Sequence, residues 1–287
     1  MFVSQFIVLL VDDEPDVLAI SRIALRNLKV YGLPLKIYTA ESKAAAIELL
    51  NGPLAVPVTG VSPVSVALVD VIMENDQAGL ELCRYIREDL KDRTTQLYVR
   101  TGQPGVAPER EVIDRYDING YVAKSEATEE KLYSLVKGAI RQSYFTSVTL
   151  MYSNMLHALI PLSDFRVKMV RHLQALAAAG AVGEDAAQSY QFAFIFDKRV
   201  IAATPDLSAE DALALEATLD KEPGAAMSAD GDKYVVGDGV ALLKIAPSAV
   251  NTELSYVLRS PVAPPEFMAL SMHAFNRAFA ELWKRAT

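Results

Sequence analysis

Between Phe6 and Lys124 short apolar runs alternate with amphipathic ones, and most of the apolar runs end on a polar residue able to do chemistry. FIVLLV (6–11) is apolar throughout, the pattern of a strand buried on both faces of a parallel sheet. Pro15 then opens a helical segment, PDVLAISRIALRNL, because proline suits the first turn of a helix. LKIYTA (35–40), VSVALVDV (64–71), QLYVRT (96–101) and GYVA (120–123) read as four more strands. SKAAAIELL, GLELCRYIRED and PEREVIDRY read as the helices between them, and NGPLAVPVTGVSP, rich in Gly and Pro, as a loop. The order βαβαβαβαβα predicts an α/β domain: a doubly wound, five-stranded parallel sheet with helices on both faces.

A long helix is predicted from Thr128 up to the breaker Pro161. Leu132, Val136, Ile140, Tyr144, Val148, Met151, Met155 and Leu159 form one stripe along it. That stripe fits a last helix packed on its own domain, or a two-stranded coiled coil. Its spacing lies nearer four residues than the 3.5 of a coiled coil. SDFRVKMVRHLQALAAA predicts a further helix capped by Ser163 or Asp164. Strands YQFAFIF and RVIAAT flank a turn at Asp197–Lys198, LSAEDALALEATLDK is helical, and KYVVGDGVALLKI is a hairpin turning at residues 237–239. ELSYVLRS is another strand, and a helix closes the chain. Strands joined by hairpins predict a smaller α+β domain of GAF or PAS type, its sheet mostly antiparallel. Alternation puts Tyr190, Phe192, Phe194 and Phe196 on one face, more simply a core than a cofactor box.

The 287 residues suffice for two domains, and 51% hydrophobic with 22% charged residues is ordinary for a globular protein. A net charge of −8 argues against a broad nucleic-acid surface, and no basic helix-turn-helix is evident, so a transcriptional role is disfavoured. The lone cysteine, Cys83, sits in a helical apolar pattern and is read as a core residue in a cytoplasmic protein. MFVSQFIVLLVDDEP lacks a basic leader and is read as a buried strand, and no apolar stretch is long enough to span a membrane.

Ligands of doubly wound sheets bind at the carboxyl ends of the strands. There the topology gathers Asp12, Asp13 and Glu14 from the first strand, Asp70 from the third, Thr101 from the fourth and Lys124 after the fifth. Carboxylates packed so closely repel one another unless a cation sits among them. Mg²⁺ suits Asp12, Asp13, Asp70 and a backbone carbonyl at Ile72. Phosphoryl transfer then has its parts: the Asp70 carboxylate as nucleophile, Lys124 to neutralise phosphoryl charge, and the Thr101 hydroxyl as a donor.

VLLVDDEPDVL, VALVDVIME, VRTG and GYVAK resemble the receiver family of two-component response regulators over residues ~6–143. The resemblance implies Asp12 and Asp13 as the acidic pair, Asp70 as phosphoacceptor, Thr101 as switch hydroxyl, Lys124 as the site lysine and Tyr121 as switch aromatic. It implies a histidine kinase or phosphotransfer protein as phosphodonor. The stretch VIMEND ahead of AGLELCRYIR, then RTGQPGVAPEREVIDRYDINGY, resembles receivers attached to a GAF-like domain and often to an HD-type phosphodiesterase. Two departures stand out. Ser125 replaces the proline that usually follows the lysine, and Glu74 stands where many receivers have proline, read here as a solvated loop acid.

An HD-type phosphodiesterase needs a His–Asp pair, and none of His157, His172 and His273 is followed by Asp. No zinc-type Cys–His spacing and no phosphate-binding Gly loop occurs after residue 160. The expected organisation is a receiver at 1–143, a helical connector at 144–182 and an α+β output or dimerisation domain at 183–287. The expected function is a response regulator that catalyses only its own phosphorylation and dephosphorylation, and signals by homodimerisation or contact with an output protein. Alternatives are a ligand sensor with a GAF-like pocket, and a degenerate member of a cyclic-dinucleotide phosphodiesterase regulator family.

Overall fold

The computed structural model describes residues 5–57, 60–102, 113, 115–124, 128–159, 167, 170–171, 173–174, 177, 191–219, 221, 226–227, 232–237, 240–245, 253–259, 273 and 276–277. The chain divides into two compact units, Gln5–Asn154 and Met155–Thr287. The first is the predicted α/β domain. Its strands are β1 (Phe6–Val11), β2 (Leu35–Ala40), β3 (Val64–Asp70), β4 (Gln96–Thr101) and β5 (Gly120–Ala123). They pair in parallel in the order β2-β1-β3-β4-β5. The sheet is doubly wound, so its order reverses between β1 and β3, and there the carboxyl ends of two neighbouring strands open a crevice.

Helices α1 (Pro15–Leu25), α2 (Lys43–Asn51) and α3 (Ala78–Arg84) join the strands, and α3 runs on into a π-helical turn, Tyr85–Asp89. Ser42 caps α2, its hydroxyl accepting from Ala45 N at 3.1 Å. Leu9, Val11, Ala67, Val69, Leu97 and Val99 pack with Ala46, Leu50, Leu82 and Cys83 in one core. The predicted burial of Cys83 holds: it is fully buried, which pushes its thiol up to about 12. Of the predicted helix PEREVIDRY, only Ile113, Arg115 and Tyr116 are described, and they are helical; the rest lies outside the described residues.

Helix α4 (Glu129–Leu159) is continuous over 31 residues. Leu132, Val136, Ile140, Tyr144 and Val148 are buried, so this part of the stripe belongs to the first unit's own core. The Tyr144 ring meets those of Phe6 and Tyr31 edge-on at 6.4 and 6.0 Å. The side chains of Met151, Met155 and Leu159 lie outside the described residues.

In the second unit six strands, β6 (Gln191–Phe196), β7 (Arg199–Ala203), β8 (Ala226–Met227), β9 (Lys233–Gly237), β10 (Val240–Ile245) and β11 (Leu254–Arg259), form one antiparallel sheet. Its order is β7-β6-β11-β10-β9-β8. Helix α5 (Ala209–Leu219) packs through Ala212 and Leu219 on Ala193, Ile195, Leu242 and Val257. This is a small α+β domain, as expected. Phe192 and Phe194 lie on the opposite face of β6, their rings 6.2 and 4.9 Å from Tyr256. The strand is thus buried on both faces, aromatic on one and aliphatic on the other. Asp197 and Lys198, at φ 44° and 62°, make the tight turn between β6 and β7. Tyr190, Ser163, Asp164 and the turn residues Asp238 and Gly239 lie outside the described residues.

Candidate functional site

The site is made by strand register. Val11 pairs with Val69, so Asp12 and Asp70 leave neighbouring strands at the same level. Asp70 pairs with Arg100, and Thr101 with Ala123, which brings the end of β4 and Lys124 to the same edge. One carboxylate oxygen from each of Asp12, Asp13 and Asp70 can be chosen so that all three lie within 4.8 Å of one another. Asp13 is exposed, whereas Asp12 and Asp70 are 1% and 4% exposed.

Lys124 closes the cluster. Its Nζ donates to Asp70 Oδ2 at 3.0 Å, Glu14 Oε1 at 2.8 Å and Asp12 Oδ1 at 3.2 Å. An ammonium has three N–H groups, so all of them are engaged. Burial works against its charge, but the bonds to Glu14, Asp70 and Asp12 outweigh that and hold its pKa above the usual lysine value. Glu14 is held below the ordinary carboxylate range by the same hydrogen bond. Asp70 goes the other way, pushed up to about 6. Burial is the main cause and the Asp12 and Asp13 charges add to it, against the pull of Lys124. Asp12 Oδ2 is buried without a hydrogen bond, although the ammonium lies 3.1 Å away outside hydrogen-bond geometry.

Helix α3 is set against this edge by a glycine. A Cβ on Gly79 would fall 1.8 Å from the Asp70 carbonyl oxygen. Gly79 N donates to Val71 O at 3.1 Å, so the helix start grips the strand just past Asp70. Only glycine allows this approach. Ile72 follows in the bend after β3, two residues past Asp70.

Among the sequence-predicted residues, Asp12, Asp13, Asp70 and Lys124 come together directly. Thr101 is buried at the end of β4, and Tyr121 is half-buried against the core. Ser125 lies outside the described residues. Glu74 is an exposed loop acid, as read from the sequence, and its Oε1 also accepts from Lys43 N at 2.8 Å, at the start of α2, where helix N–H groups lack partners. Sequence reasoning placed Glu14 in the acidic run without giving it the lysine, and it missed Arg100. The signal for Arg100 was present, since an arginine inside QLYVRT, a strand with helices on both sides, must be buried.

In the second unit His273 Nε2 lies 2.7 Å from Asp232 Oδ2, which Arg277 also meets. Asp232 is fully buried. This ties a helical segment to the start of β9. His157 and His172 have side chains outside the described residues.

A set of carboxylate oxygens, one buried and lacking a donor, fits a hard divalent cation. No helix among the described residues is long and apolar enough to cross a membrane.

No family model matches the chain. Over 134 residues, 47% of its length, the chain is 43% identical to the 3'3'-cGAMP-specific phosphodiesterase 2 of Vibrio cholerae. It spans 24% of the length of that relative. Solved structures similar to half of the chain include a CheY-like response regulator receiver domain protein from Methanospirillum hungatei. That match covers 50% of this chain and 98% of that one, at 15% identity and a TM-score of 0.39. The signal receiver domain of an HD domain-containing protein from Pseudomonas fluorescens matches 49% of this chain and 98% of its own, at 18% identity and a TM-score of 0.39. The sheet order and strand-end geometry carry the fold assignment: the first half of the chain has the receiver fold, and it is to receiver domains that it is similar.

Proposed function

We propose that this chain is a response regulator whose first unit accepts a phosphoryl group on Asp70 from a histidine kinase or phosphotransfer protein. The observation that carries this reading is a buried strand-end carboxylate bonded to Lys124 at 3.0 Å, with two further carboxylates within reach of one cation. Asp12, Asp13, Asp70 and the Ile72 carbonyl would hold Mg²⁺. Bound there, the ion supplies positive charge for the phosphoryl oxygens. Asp70 attacks phosphorus, the new O–P bond forms as the donor's N–P bond breaks, and the donor imidazole leaves with the electron pair. Lys124 releases a carboxylate to meet a phosphoryl oxygen, and the Thr101 hydroxyl donates to another. Tyr121, half-buried on β5, would turn inward with Thr101 as the switch. The only catalysis assigned to the chain is its own phosphorylation and dephosphorylation.

The output is protein contact, by homodimerisation or with an output protein, in the cytoplasm. The organisation we adopt is a receiver over 1–143, a helical connector over 144–182 and a GAF/PAS-like domain over 183–287. A second reading, a degenerate member of a cyclic-dinucleotide phosphodiesterase regulator family, is favoured by the 43% identity over 134 residues to a cGAMP phosphodiesterase.

Light scattering with and without beryllofluoride plus Mg²⁺, on wild type and Asp70→Asn, tests the first reading. We expect a change of mass or shape that the variant lacks. Failure of the wild type to bind the mimic would sink the phosphoacceptor assignment.

A further inference from the structure

Beside the acidic cluster lies a cation that this chemistry has not used. Arg100 is 5% exposed and sits on the β4 rung that pairs with Asp70. Strand alternation puts Val99 in the core with α2 and α3, and Arg100 on the other face of the sheet. There its Nη1 donates to Ser21 Oγ of α1 at 3.0 Å. Its Nε is buried without a hydrogen-bond partner. It also lines a cavity of about 290 Å³ with Ser21, Ile20, Lys124 and Leu132.

A buried cation bonded only to a hydroxyl is unfavourable unless opposite charge stands near. Burial lowers the pKa of Arg100, and the charges of Asp12, Asp70 and Glu14 act against that. The acids of the site therefore favour the charged form of Arg100, without a direct ion pair to it. Lys124 is already divided among three carboxylates. Phosphorylation would replace the single negative charge of Asp70 by about two. When Lys124 turns to the phosphoryl group, the carboxylates it releases need another donor, and the unused Nε–H belongs to the residue paired with Asp70 on the adjacent strand.

We infer that Arg100 is a positioning residue for phosphoryl transfer, offsetting the charge that phosphorylation adds at Asp70 while tying that rung to α1 through Ser21. This rests on the receiver reading. It makes Arg100 act with opposite sign on the two ligands of the site: its charge repels the metal cation and favours the phosphoryl anion.

Isothermal titration calorimetry on the full chain tests it, with Mg²⁺ alone and with beryllofluoride at saturating Mg²⁺. In Arg100→Met, Mg²⁺ should bind about tenfold more tightly and beryllofluoride about tenfold more weakly, the scale of one nearby charge in a partly buried site. Arg100→Gln, which keeps a donor for Ser21, should show the same split, and Arg100→Lys should restore most of the wild-type behaviour. Damage to the fold would weaken both ligands together. Both constants unchanged, or both moving the same way, overturns the role of Arg100 while the receiver reading stands. A wild type that binds Mg²⁺ and no beryllofluoride overturns both.

Discussion

Asp70, the proposed phosphoacceptor, works against the stability of its own fold. Its carboxyl is pushed up to about 6, against 3.8 for the free group, because it is buried among other acids. The folded state thus holds this proton more tightly than the unfolded chain does. Below pH ~4 both states are protonated and Asp70 contributes nothing; as pH rises from ~4 to ~6 stability is lost, and above ~6 the full penalty applies. Asp70→Asn should therefore stabilise the protein in EDTA at pH 7 by roughly 1–3 kcal/mol, with the gain vanishing near pH 4. Urea melts of both proteins across that range check this, and a pH-independent difference would refute it. Mg²⁺ should narrow the gap by stabilising the wild type more than the variant.

Gly79 acts at the same scale through sterics. A methyl group there meets backbone, which cannot swing aside as a side chain can. Gly79→Ala should push α3 away from β3, cost about 2–4 kcal/mol as an overpacked contact, and weaken Mg²⁺ binding by displacing Asp70. Thermal melts and Mg²⁺ titration would show both effects; a variant with wild-type melting and Mg²⁺ affinity would contradict the tight approach.

At the scale of elements, the opposite end of the sheet is held by a buried arginine. Arg87, in the π-helical turn after α3, donates to the backbone oxygens of Asp92, Thr95 and Asp117, each at 2.9 Å. Asp92, also buried, accepts from Thr94 N at 2.8 Å and Thr95 N at 3.0 Å. This network joins the end of α3 to the starts of β4 and β5. Arg87→Met leaves those carbonyls without donors and should cost about 3–5 kcal/mol, read by urea denaturation. Because the network lies away from the acidic edge, Mg²⁺ affinity of the folded fraction should stay as in wild type. Helix α4 shows the limit of reading an element from its pattern. Its stripe suited a coiled coil or a packed helix, and the burial of Leu132 through Val148 commits that part to the first unit's core.

For the whole molecule, α4 runs through the boundary between the two units. If phosphorylation is relayed along this helix, inserting two glycines after Asn154 should leave beryllofluoride binding intact and abolish the mimic-dependent change in light scattering. An unchanged scattering response would remove α4 from the signalling route.

The apolar runs and their helical partners were legible because burial on both sheet faces leaves continuous apolar strands, and parallel strands need helical crossovers. The acids were legible because strand ends of a doubly wound sheet are ligand sites whatever the detailed packing. Other features depended on contacts distant in sequence. Glu74 and Lys43 meet across 31 positions, and Arg100 and Ser21 across 79. In the second unit, hairpins announced the antiparallel strands, but the central pairing of β6 with β11 joins segments far apart in the chain. Sequence periodicity reports which face of an element is apolar; the partner of each charged group is set by sheet order and register, which only the assembled fold determines.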